Sequence, residues 1–211
     1  QSTAVELYRE VLASFPQNKP AQQALIRLGA SGANAAASAP REAVMQAVGL
    51  FQAGKLTAAL ERAEPLLAQH PDDPMLQNFV GVVNAGLGNA EAAVEHYRKA
   101  VRNKPTYAEA HYNLGIALYE LGENSAAQSA FARVIKLEPN NAGGHCGLAN
   151  TLRDQGKFDK AIASYSSALK LQPRDAIAHN NLGNTLSYLG RDAEATRSFV
   201  QSVNLNPSNA E

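Results

Sequence analysis

Five prolines stand 34 residues apart, at Pro71, Pro105, Pro139, Pro173 and Pro207. A chain that repeats itself at this interval builds a stacked array of similar units rather than one globular core. Glycine recurs in the same register at Gly54, Gly88, Gly122, Gly156 and Gly190. Five residues after each glycine comes an alanine: Ala59, Ala93, Ala127, Ala161 and Ala195. Nine residues after it, four intervals carry a ring, Tyr97, Phe131, Tyr165 and Phe199, while Ala63 stands in the remaining one.

Residues 108–141 show what one interval encodes. Leu114, Ala117, Leu118 and Leu121 follow the spacing of a single apolar helical face. Gly122 is placed where a left-handed C-cap ends that helix. Asn124 and Ser125 are expected to cap a second helix, whose apolar stripe is Ala127, Ala130, Phe131, Val134 and Ile135. Pro139 stops it, and Asn140 and Asn141 turn the chain into the next interval. Each interval therefore reads as a helical hairpin with an apolar face that only stacking on its neighbours can bury.

With these residues in place, the pattern resembles the tetratricopeptide repeat. The large residue at the family's position four matches His111, His145 and His179. The leucine at position seven matches Leu114, Leu148 and Leu182, with Val80 one unit earlier. The small residue at position eight matches Gly81, Gly115, Ala149 and Gly183. Position eleven matches Leu50, Leu118, Leu152 and Leu186, and Asn84 departs from it. The resemblance implies an all-α, right-handed superhelical solenoid of antiparallel helix hairpins. Five units are expected over 40–209, at 40–73, 74–107, 108–141, 142–175 and 176–209. The first unit departs most: it has Gln46 in place of leucine, Ala63 in place of a ring, and Pro65 inside its second helix. A mid-helix proline costs on the order of 3 kcal/mol, so a bend or an early helix end is expected there.

Residues 1–29 read as a divergent hairpin, with apolar faces at Ala4, Leu7, Tyr8, Val11, Leu12 and at Ala21, Ala24, Leu25, Leu28. The small, polar stretch 30–39 suits a flexible linker, or a loop lying over the first units. The segment LYREVLASFPQNKPAQQAL resembles openings of bacterial repeat proteins in which a glycosyltransferase, sulfotransferase or hydroxylase domain follows the array. The chain begins without Met and stops at Ala210-Glu211, where another first helix would begin. Since solenoids need polar terminal caps, the sequence is expected to be a piece of a longer protein. A short chain that pairs its open ends between copies is the alternative.

Charge narrows the partners. The 19 basic and 19 acidic residues balance, which argues against a broad phosphate-binding surface and hence against nucleic acid. No apolar run approaches the roughly 20 residues of a membrane span. Cys146 is the only cysteine, so no internal disulfide forms. That fits a reducing compartment, and a cytoplasmic location is expected.

No catalytic, cofactor-binding or metal-binding constellation stands out, and the chain is expected not to be an enzyme. His111, His145 and His179 lie one repeat apart, on the order of 10 Å per helix layer, whereas zinc ligands converge within about 2.1 Å of one ion. Position four instead packs a large side chain at the hairpin interface. His145 and Cys146 are helix neighbours about 100° apart and do not face each other. Cys146 reads as a plain small residue.

The resemblance implies a concave groove lined by the first helix of each unit, at positions two, five, six, nine, twelve and thirteen. Those positions hold Asn78, Asn113, Asn150, Asn180, Asn181 and Asn184, together with Tyr112, Tyr119, Arg153 and Tyr188. An amide donates and accepts, and so can satisfy an extended peptide's backbone. Tyrosines add rigid contact area with a polar tip. Phe51, Met75 and Phe79 make the N-terminal half more apolar. O-GlcNAc transferase repeats carry an asparagine ladder at position six; here Met45, Phe79 and Gly147 interrupt it, leaving Asn113 and Asn181. A chaperone-type carboxylate clamp is not matched, because Cys146 replaces its lysine.

The leading expectation is a non-catalytic protein-interaction module that holds an extended peptide or a partner helix in the groove. The alternative is the substrate-recruiting arm of a larger bacterial enzyme, of the glycosyltransferase, sulfotransferase or hydroxylase type. Self-association through uncapped ends is a third expectation.

Overall fold

The 34-residue interval resolves into two helices and two loops. The computed structural model describes residues 41–206. The expected hairpin over 1–29, the linker over 30–39 and Pro207 lie outside those residues. Among the described residues all regular structure is α-helical: α1 (Arg41–Gln52), α2 (Leu56–Gln69), α3 (Pro74–Gly86), α4 (Ala90–Asn103), α5 (Ala108–Glu120), α6 (Asn124–Leu137), α7 (Ala142–Asp154), α8 (Phe158–Leu171), α9 (Ala176–Tyr188) and α10 (Asp192–Leu205). The fold is all-α, built of antiparallel helix hairpins. The helices form two compact bodies that divide between Pro105 and Thr106, α1–α4 in the first and α5–α10 in the second.

The recurring glycine makes the hairpin turn. Gly122 has φ +76°, and the equivalent glycines lie between +70° and +81°. In this left-handed conformation Glu123 N–H reaches back to Leu118 O at 2.8 Å and Gly122 N–H to Tyr119 O at 2.9 Å. That pair of bonds is the Schellman motif, which satisfies carbonyls a helix end would leave bare.

The capping side chains belong to the first helices, which corrects the expectation for Asn124 and Ser125. Asp73, Asn141 and Asp175 accept backbone N–H bonds at the starts of α3, α7 and α9. At the start of α6 the cap position falls on Glu123, with no side-chain cap bond. The Schellman turn leaves that residue at ψ 57°, short of the extended backbone from which α3, α7 and α9 are capped.

Pro65 does not end its helix either. α2 runs on to Gln69 and matches the 14 residues of α4. Pro65 and Glu61, whose carbonyl loses its N–H partner, are both exposed residues, so water can serve that carbonyl.

A ring slot sets the packing within three of the hairpins. A Cβ built on Gly81 would stand 2.6 Å from the Tyr97 ring, one on Gly115 2.8 Å from Phe131, and one on Gly183 2.6 Å from Phe199. The ring thus lies flush against the backbone of the facing helix, which explains why small and ring positions recur together. The first hairpin fills this space differently: Ala47 and Ala63 are fully buried with Val80, and Leu60, Leu67 and Phe79 pack over them.

A second recurring device ties three of the hairpins to the loops before them. His145 Nε2 donates to Pro139 O and His179 Nε2 to Pro173 O, both at 3.0 Å. Gln77 does the same to Pro71 O at 2.6 Å. Of the expected position-four residues, His145 and His179 thus also donate to a loop carbonyl, and Gln77 at the same position does likewise.

Candidate functional site

In the first body α3 presents mostly apolar surface. Phe51 and Phe79 meet edge to face, with centroids 6.0 Å apart. Asn78 is only 4% exposed and has interaction partners of its own. Its expected place as an accessible groove contact is corrected, because so little of its side chain is open to a ligand. Asn84, the departure from leucine, is buried with its amide donating to Val80 O at 2.9 Å.

The second body brings the other expected residues onto α5, α7 and α9. Asn150 and Asn181 meet directly: Asn181 Nδ2 donates to Asn150 Oδ1 at 3.2 Å. The same oxygen accepts the hydroxyl of Tyr165, from α8, at 2.5 Å. Both lone pairs of Asn150 Oδ1 are thereby used, leaving Asn150 Nδ2 as a donor and Asn181 Oδ1 as an acceptor. Asn180 is half-buried and Asn184 exposed, and neither amide has a hydrogen bond to the described residues. Asn113 is half-buried on α5 and engaged by other groups.

Tyr119 and Arg153 form a second cluster. The Tyr119 hydroxyl donates to Asp154 Oδ2 at 2.6 Å. Arg153 Nε donates to Asp154 Oδ1 at 2.9 Å, and its Nη2 to the Tyr119 oxygen at 3.4 Å. Burial and then the bond to Asp154 raise the Tyr119 hydroxyl above its ordinary pKa. The groove's one expected cation is thus held by a neighbouring carboxylate, and its charge is largely compensated.

Tyr112 lies deeper than expected of a contact residue. Its ring meets Phe131 edge to face at 6.0 Å, and a Cβ on Gly143 would stand 3.0 Å from its hydroxyl oxygen. Burial raises its pKa, with smaller contributions from Cys146 and Asp175. Tyr188 is the reverse case, 74% exposed, with its ring tilted over Phe158 at a centroid distance of 4.5 Å. Cys146 is half-buried, and burial followed by the charge of Asp175 pushes its thiol up to about 12, so it stays protonated and poorly nucleophilic.

Three contributors were not among the expected site residues: Tyr165, Asp154 and Phe158. The sequence marks Tyr165 only as one of the recurring rings, and its hydroxyl, absent from Phe131 and Phe199, is the available signal. Among the described residues no group of three or more His, Cys, Asp or Glu could hold a metal ion. No helix among them is long and apolar enough to cross a membrane.

Comparison with known proteins decides the family. A TPR repeat model matches residues 85–122 and 149–190, and tetratricopeptide repeat models match 108–141, 130–163 and 176–209. The chain belongs to the tetratricopeptide repeat (TPR) family. Among solved structures it is similar to MamA, at 25% identity and TM-score 0.73, over 78% of this chain and 96% of that one. MamA of Desulfovibrio magneticus RS-1 aligns at 20% identity and TM-score 0.74, over 80% of this chain and 96% of that one. YrrB, described as a TPR protein with an unusual peptide-binding site, aligns at 18% identity and TM-score 0.70, over 95% and 92%. The last two likenesses establish the fold alone. A peroxisomal targeting signal receptor from Candida albicans (strain SC5314 / ATCC MYA-2876) is 37% identical over 89 residues, 39% of this chain. The match spans 15% of that receptor's length. The TPR array supports a protein-interaction scaffold, and a fold made of TPR hairpins alone is typically non-catalytic.

Proposed function

We propose that the TPR hairpins of the second body hold an extended, uncharged peptide across α5, α7 and α9. The observation that carries this reading is the Asn150–Asn181 pair. Their mutual bond leaves Asn150 with an uncommitted donor and Asn181 with an uncommitted acceptor, the complement of a peptide group. Asn180 and Asn184 extend the polar row along α9. Tyr188 supplies an exposed aromatic surface at its end. Arg153, the one cation among the expected contact residues, is compensated by Asp154, which disfavours selection of an acidic ligand.

The test is an array of acetylated, uncharged decapeptides probed with wild-type protein and with Asn150→Ala/Asn181→Ala. Circular dichroism first establishes that the variant is folded. Binding by wild type that the variant loses is the expected result. Peptides retained equally by both would move the site away from these amides.

A further inference from the structure

Tyr165 occupies the ring position of its hairpin, where Phe131 and Phe199 demonstrate that a bare ring suffices for packing. The side chain is 0% exposed yet ends in a hydroxyl. A buried hydroxyl needs an acceptor, and among the described residues that acceptor is Asn150 Oδ1 at 2.5 Å. An amide on its own is nearly symmetric, since exchanging its oxygen and nitrogen hardly alters its shape. The hydroxyl removes that symmetry. With the Tyr165 proton pointing at it, Asn150 must turn its oxygen inward. Asn181 must then turn its nitrogen toward the same oxygen. Without the hydroxyl, both amides could reverse together and keep their mutual bond.

We propose that Tyr165 is a positioning residue that sets the polarity of the amide pair, placing a donor outward on α7 and an acceptor outward on α9. A bound peptide then meets Asn150 with a carbonyl and Asn181 with an N–H, and lies in one chain direction. The consequence for ligands rests on the peptide reading above, whereas the orientation of the amides does not.

The test uses the full chain, labelled with nitrogen-15, as wild type and Tyr165→Phe. The variant is expected to remain folded, because phenylalanine already fills the equivalent slots. Wild type should give one set of side-chain amide signals for Asn150 and for Asn181. The variant should give a second set, or broadening, as the pair reverses. Its affinity for the tightest uncharged decapeptide should fall roughly five- to tenfold, the scale of one hydrogen bond. Unchanged single signals in the variant would overturn the positioning role. Altered signals in a protein whose wild type binds no decapeptide would uphold the positioning role and sink the peptide reading. Should Tyr165→Phe fail to fold, the wild-type spectrum decides the matter: one set of side-chain amide signals for Asn150 and Asn181 is expected, and two sets would overturn the positioning role.

Discussion

At the scale of the residue, the proposed groove is limited by what lies beneath it. Gly147 stands where an asparagine would extend the position-six row, yet a Cβ there would come within 2.4 Å of the Phe131 ring. Gly147→Asn should therefore destabilise the protein by about 1–3 kcal/mol or more, as overpacked cores do. A drop in the urea midpoint without a change in slope would register it, and a neutral result would mean that Phe131 can move aside. Sequence alone singled out Asn150 and Asn181 as candidates because amides at those repeat positions stand out. It missed Tyr165 because packing does not distinguish tyrosine from phenylalanine, and only the burial of the hydroxyl makes the difference matter. It misplaced Asn78 because a repeat position does not reveal which residues of α3 the neighbouring helices cover.

At the scale of the element, the helices and their turns were readable because glycine and proline act through backbone conformation, which needs no tertiary context. Capping was misread for the opposite reason: asparagine and serine qualify by type, but the turn before α6 denies them the geometry. The loop tie at position four has an internal control. Gln77 makes the same bond to a proline carbonyl as His145 and His179. Accordingly His179→Gln should retain stability, while His179→Leu should lose about 1 kcal/mol, measured by thermal or urea denaturation. Equal losses in both would rule out the hydrogen bond as the reason.

His96 adds a pH dependence to the first body. Its Nδ1 donates to Gln77 Oε1 at 2.8 Å, the amide orientation being set by the bond to Pro71. Burial, then Lys99, lowers its pKa below the ordinary 6.5, against weaker opposition from Glu95 and Glu64. The unfolded chain therefore takes up the proton first. Stability present above pH 6.5 should be lost as pH falls through the folded-state value. His96→Gln should flatten that decline in denaturation measured from pH 7.5 down to 5, and an unchanged decline would assign it to other groups.

At the scale of the whole molecule, an array held by nearest-neighbour contacts is only as firm as its least covered hairpin. In α10, Val200 is 49% and Val203 38% exposed. Native-state hydrogen exchange should accordingly find α10 less protected than α6 or α8, and uniform protection would contradict this. The first hairpin, without a ring at Ala63, draws Phe79 into its packing, and Phe79 then occupies a position that bears an asparagine in α5 and α9. The ring of the third hairpin, Phe131, keeps Gly147 bare in the same row. Such positions are shared ground: one side chain answers to two demands at once. Changing the recognition surface of one repeat is then a negotiation with its neighbour's interior, and new specificities should arise as paired substitutions, a groove residue together with a ring, rather than one at a time.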